Sequence, residues 1–240
     1  MAEIIPAVLP TDYNDLAGHI SRVRGLSKYV QIDICDGKFV PRKSWPYEGD
    51  KEHDFDAIKN EEKGLPGWES VDFELDLMIR HPNEVIHDWV KTGAKRLIIH
   101  IESLPDPLAL IMELKTTYGS LRTSEYGIEV GIALNIATPN EQAYELLSHT
   151  DNDGYTLVDF VQFMGIREIG FQGQDFDSAV LEKISDMRDH YPELPISVDG
   201  GVDGDSAADL VDAGATRLVS GSYIFESADI TQAIYDLENS

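Results

Sequence analysis

One cysteine, Cys35, stands in a chain of 240 residues, so no internal disulfide framework can form and a reducing cytosol is the expected compartment. No uninterrupted apolar run approaches membrane-spanning length, and the opening MAEIIPAVLPTDY has neither a basic n-region nor a signal-like apolar core. A cytoplasmic protein is therefore expected. Basic residues are scarce: 19 Lys and Arg face 44 Asp and Glu, a net charge of −25. Such a field repels polyanions, so neither nucleic acid nor an anionic membrane is an expected partner. The acids are dispersed rather than gathered in a tail, the pattern of a solvated acidic shell, which a salt-adapted host or ordinary selection for solubility would both produce. An anionic substrate would need a local site strong enough to overcome this field. A GxGxxG after the first apolar run is also missing, which speaks against an open, doubly wound nucleotide-binding sheet.

What is there is regular. Hydrophobic residues make up 42% and charged residues 26%, the balance of a soluble globular protein whose length buries a substantial core without staples. Short apolar runs read as strands at Ile4–Leu9, Tyr29–Ile34, Phe73–Ile79, Arg96–Ile101, Gly127–Leu134, Leu157–Met164, Pro195–Asp199 and Thr216–Ser220. Helix-period stretches lie between them, among them Pro82–Thr92, Pro105–Thr117, Asn140–Ser148, Ser178–His190 and Ser206–Ala213. Eight repeats of about 30 residues, strand alternating with helix, predict parallel pairing and an α/β fold of one (β/α)8 TIM-barrel domain over residues 1–240. One connection is long: Pro41 to Asp72 is charged and carries Trp45, Tyr47 and Trp68. It reads as a surface loop with a short helix near Phe55–Lys59, a lid or oligomer contact being the other reading.

Strand alternation decides which side chains meet. Gln31, Asp33 and Cys35 share one face, as do Glu74, Asp76 and Met78, then Ile98, His100 and Glu102, then Ser197 and Asp199. Any one of these acids could be a helix cap or a loop hydrogen bond. Four strands carrying acids on the same side point instead to the C-terminal mouth of a barrel. A carboxylate cluster there is costly unless a cation, shared protons or substrate offsets it. Glycine-bearing segments follow the last three strands: Gly170 to Gln174, Gly200-Gly201 and Gly221-Ser222. Singly each only permits a turn, but together they match the usual barrel phosphate cradle, where backbone N–H groups hold a dianion without lysine or arginine.

The segments IIPAVLPTDY, QIDICDGKFVP, ELDLMIRHP, GIALNIATP, GFQGQDF, SVDGGV and SGSYIF, in this order, resemble the ribulose-phosphate 3-epimerases and their relatives nearly end to end. The resemblance implies epimerisation of a ketose phosphate at the carbon next to its carbonyl. Asp33 and Asp199 would serve as base and acid on opposite faces, and a divalent metal would stabilise the enediolate. It implies an apolar wall of Cys35 (methionine in most of the family), Met78 and Met164, phosphate on Gly173, Gly200, Gly201, Gly221 and Ser222, and a homo-oligomer. The chain departs from the family where Gln31 and Asp76 replace two metal-binding histidines. Ala7 replaces a serine, Gln172 replaces a glycine, and the loop after the sixth strand is one residue longer. The remaining set, Gln31, Asp33, Asp76 and Asp199, is all oxygen and would suit magnesium, manganese or calcium over zinc, a metal-free site being the alternative. A non-catalytic barrel that binds a phosphorylated ligand or serves as a structural subunit is the second function class. A lyase built on Lys38 is a third, against which Lys38 reads as a solvated loop residue.

Overall fold

Eight strands with aliphatic residues at alternate positions close on themselves, each hydrogen-bonded in parallel to its sequence neighbours and β8 to β1. The computed structural model describes residues 1–48 and 52–240, so positions 49–51 of the long 41–72 connection lie outside the described residues. The strands are β1 (Glu3–Val8), β2 (Tyr29–Cys35), β3 (Asp72–Met78), β4 (Arg96–His100), β5 (Glu129–Leu134), β6 (Phe160–Met164), β7 (Ile196–Asp199) and β8 (Arg217–Ser220). Between and after them run α1 (Tyr13–Val23), α2 (Glu52–Lys59), α3 (Ile86–Val90), α4 (Pro107–Tyr118), α5 (Glu141–Leu147), α6 (Ala179–His190), α7 (Ala207–Ala213), α8 (Ser222–Phe225) and α9 (Ile230–Glu238). The TIM barrel read from the repeat is the fold observed. No helix among the described residues is long and apolar enough to cross a membrane.

Local chemistry sets the helix starts. Asp12, Asp106 and Asp229 each accept a backbone N–H three residues on, capping α1, α4 and α9, and Pro107 adds a preset φ at the start of α4. Most expected boundaries shift by a residue or two, and three shifts have a local cause. The Pro82–Thr92 stretch is a 3-10 turn (Pro82–Glu84) followed by α3, because Val85 at φ −130° breaks the helical run. The fifth strand starts at Glu129 rather than Gly127, whose N–H closes a turn onto Ser124 and where a side chain would strike the Ser120 backbone at 2.3 Å. The sixth starts at Phe160 rather than Leu157, whose N–H is taken by His149.

The outward strand residues, such as Ile32, Ile34, Leu75, Leu77, Leu97 and Ile99, are fully buried under the helices and form the main core. Burying one such side chain contributes about 1.5–3 kcal/mol. Inside the barrel a second, polar set runs in layers. At the N-terminal end Arg96 bonds Glu74 (3.0 Å), Glu129 (2.8 Å) and Glu3 (3.2 Å), and Arg217 bonds Glu3 (3.2 Å). The rings of Tyr29 and Phe160 lie against the two guanidinium groups. Gly131 is what admits Phe160, since a Cβ there would sit 2.4 Å from the ring. Glu74, expected to face the same mouth as Asp76, sits two residues deeper and belongs to this opposite end.

The 41–48 segment is anchored rather than free. Trp45 is fully buried against Tyr13, Phe55 and Trp89, and the Ser44 hydroxyl donates to the Asp33 carbonyl and accepts from the Cys35 N–H. None of the described residues of the 41–72 connection lines the main cavity.

Candidate active site

Asp33, Asp76 and Asp199 end up together because β2, β3 and β7 present them inward near their C-terminal ends, Asp33 directly beside Asp76 in register. Their carboxylate oxygens lie within 4.8 Å of one another. Three unscreened negative charges at that spacing cannot all persist in a dry interior. Each is met by a nitrogen donor. The Gln31 carboxamide, fully buried one rung below, donates from Nε2 to Asp33 Oδ1 (2.8 Å) and to Asp199 Oδ2 (2.7 Å). His100 Nε2 bonds Asp76 Oδ1 at 3.0 Å, and Gln162 Nε2 approaches Asp76 Oδ2 at 3.4 Å.

These surroundings tune Asp33 and Asp199 upward. Burial, then the charges of Asp199 and Asp76, holds the Asp33 carboxyl well above the usual carboxylate range, with the Gln31 bond pulling the other way. Burial and then Asp76 push Asp199 up to about 7, although its side chain keeps partial access to the cavity. Burial opposes charge on His100, but Asp76 outweighs it and raises the imidazole pKa. Two neighbouring carboxyls raised in this way take up and release protons as a pair rather than independently.

Asp33 and Asp199 open onto a cavity of about 780 Å³. Met78 and Met164 line it. Cys35 does not: it packs beneath with Val40 and Met78, its thiol pushed up by burial. Gly173, Gly200, Gly201, Gly221 and Ser222 all line the cavity, as do Ala7 and Gln172. Gly200 and Gly201 hold φ of 99° and 68°, and a Cβ on Gly201 would meet the Phe176 backbone at 2.6 Å, so this turn closes only with glycine. Gln172 Nε2 reaches the Ala7 carbonyl (3.2 Å). The rim carries Asp175, Asp203, Glu226, Asp229 and Asp236, and no lysine, arginine or histidine is among the described lining residues.

Two further positions bear on the expected site. Glu102 lies just beyond β4, which ends at His100: its carboxylate comes within 3.9 Å of His100 Nδ1 and accepts from the Asn135 N–H and the Thr138 hydroxyl, a loop clasp. Lys38 is exposed and off the cavity, with its N–H on Asp36, which leaves the lyase reading without its amine. Sequence reading missed the pairing of His100 with Asp76. A signal for it exists, since His100 lies on the inward face just beyond Ile98, the partner of Asp76 across β3 and β4.

The metal expectation meets a specific obstacle. Three carboxylates could supply oxygens to an ion. An imidazole-held transition metal does not fit: positions 31 and 76 offer an amide and a carboxylate, and the Gln31 N–H pair already fills the gap between Asp33 and Asp199.

The sequence pattern of the ribulose-phosphate 3 epimerase family matches residues 3–225. The ribulose-phosphate 3-epimerase of Bacillus subtilis is 31% identical over 252 residues, covering all of both chains. The cytoplasmic isoform of Oryza sativa subsp. japonica is 31% identical over 242 residues, covering 100% of this chain and 94% of that one. Among solved structures, KGPDC from Streptococcus mutans superimposes with a TM-score of 0.66 at 12% identity, over 100% of this chain and 96% of that one, a likeness of fold.

Proposed function

This chain belongs to the ribulose-phosphate 3-epimerase family, and from that premise we propose that it inverts the carbon beside the carbonyl of a ribulose 5-phosphate-like ketose phosphate by proton transfer between Asp33 and Asp199. The class of activity, isomerisation of a ketose phosphate, follows from the family. The assignment of the two aspartates rests on one observation: both open onto the same cavity as the glycine turns, and both carboxyls are held above their ordinary range.

Inversion needs a proton removed from one face and another returned to the opposite face. The ionised carboxylate takes the C–H proton, the bonding pair moves into a carbon–carbon double bond, and the carbonyl oxygen becomes an enediolate oxygen. The protonated carboxyl then delivers its own proton to the other face as that pair returns. The two acids end with exchanged protonation, which transfer through solvent resets. Gly173, Gly200, Gly201, Gly221 and Ser222 would hold the phosphate through backbone donors, while Met78 and Met164 exclude water from the reacting carbon. If a cation enters, the three carboxylates suit an oxygen-preferring ion rather than zinc; the proton path itself runs between the two carboxyls.

The reading is tested by hydrogen exchange at that carbon in deuterated solvent with ribulose 5-phosphate. Asp33→Asn and Asp199→Asn should each lower epimerisation at that carbon by ~10²–10⁴ without lowering the thermal midpoint, the usual size for loss of a proton-transfer group. Near-parent epimerisation in either variant ends the two-acid mechanism, whereas exchange that survives in one variant without inversion marks the remaining carboxylate as the base.

A further inference from the structure

Besides stabilising an enediolate oxygen, a metal at such a site would have two tasks: holding the two acids in place and offsetting their charge. In this chain both tasks are already performed by a side chain. We propose that Gln31 is the positioning residue that lets this barrel move its proton without a metal, its carboxamide N–H pair standing where the cation would stand. The inference deepens the proposed function and rests on it for the identity of the reaction.

Geometry carries the case. One nitrogen lies 2.8 Å from Asp33 and 2.7 Å from Asp199, so a single planar group spans the pair. A cation bridging the same two oxygens would have to displace those hydrogens. Turned the other way, the amide would bring its oxygen against two carboxylate oxygens at the same separation, a repulsion that a proton or an ion between them would have to relieve. The orientation is not imposed from below, because Gln31 Oε1 has no hydrogen-bond partner among the described residues. The amide commits both N–H bonds to the acids and leaves its carbonyl unpaired. Lateral packing keeps it there, since Gln31 is fully buried in register with Ala7 on β1 and Glu74 on β3. The third acid needs no ion either, with His100 and Gln162 donating to Asp76. Every oxygen-rich corner of the site therefore already has a nitrogen facing it.

The test compares parent, Gln31→Met and Gln31→Glu, each as the full chain freed of metal with a chelator. Calorimetric titration of the parent with magnesium, manganese and zinc chlorides should show no one-to-one binding, and deuterium exchange into ribulose 5-phosphate should be the same with chelator or added metal. Gln31→Met keeps the volume but removes both donors, and should lower kcat about tenfold or more with KM unchanged, the split expected of a group that organises the acids rather than binds substrate. Gln31→Glu replaces donors by a fourth carboxylate and should gain one-to-one manganese binding while losing exchange in chelator. A parent that binds one ion per chain, or loses exchange in chelator, overturns the inference, as does a Gln31→Met variant with parent kcat. If the parent exchanges only when metal is added, the epimerase reading stands and this inference falls. If no proton moves under any condition, the epimerase reading falls and the calorimetry alone decides whether the site takes a cation.

Discussion

The two ends of the barrel hold the same number of inward carboxylates and treat them oppositely. At the N-terminal end Glu3, Glu74 and Glu129 surround the guanidinium of Arg96, with Arg217 beside it. At the C-terminal end Asp33, Asp76 and Asp199 meet only neutral amides and one imidazole. Fixed, permanently charged partners make the lower cluster a structural plug, although burial still raises the Glu74 pKa against the pull of Arg96 and Arg217. The upper acids lack such partners, and burial with mutual repulsion raises the pKa of Asp33 and of Asp199. On the proposed function, proton transfer falls to the cluster left short of positive charge.

That contrast can be broken most forcefully from below. Arg96→Met leaves Glu74, which is fully buried, beside two other acids, and should cost about 3–5 kcal/mol in denaturant unfolding near neutral pH. Adding Glu74→Leu should recover most of it, because a well-packed apolar pair replaces a buried ion pair at little cost. A loss under about 1 kcal/mol would mean the plug behaves as a surface salt bridge.

From above the sign reverses. Asp199 has a folded pKa of about 7 against an ordinary 3.8, so the folded state holds this proton more tightly than the unfolded chain does. Its ionisation therefore costs stability progressively as pH rises between those values, fully above 7 and not at all below 3.8. Asp199→Asn, which copies the protonated form and still accepts from Gln31, should stabilise the chain at pH 8 by about 1–3 kcal/mol, with the gain shrinking as the pH is lowered toward 5. Destabilisation at pH 8 would show that the upper acids are already neutralised, by a cation for instance. The smallest effect is that of salt. Raising potassium chloride from about 0.1 to about 1 M shortens the screening length from about 10 to about 3 Å and should lower KM for ribulose 5-phosphate a few-fold by relieving rim repulsion. Anion binding usually weakens with salt, and a rise in KM would mean that cationic groups guide the substrate.

Much of this is legible in the sequence. The alternation of strand and helix yields all eight strands, and the polar faces make Asp33, Asp76 and Asp199 neighbours, because side-chain direction in a strand follows from parity alone. Height in the barrel does not. Glu74 and Asp76 share a face and differ by one rung, yet one belongs to the plug and the other to the mouth. Nor does parity reveal partners on other strands: Gln31 can be read as an oxygen donor to a metal, and only the packed structure orients its nitrogen toward two acids. His100 is on the right face but acquires a role only when β4 is placed beside Asp76.

The acidic rim has a consequence for selectivity. Asp175, Asp203, Glu226, Asp229 and Asp236 raise the energy of any anion entering the cavity in proportion to its charge. A sugar monophosphate meets that barrier with one phosphoryl group, which the glycine turns can hold once inside. A sugar bisphosphate brings about twice the charge, yet there is one cradle to receive it. If the proposed cradle holds one phosphoryl group, the rim would then sort ligands by charge rather than by size, favouring one phosphate over two before any contact with the reacting carbon is made.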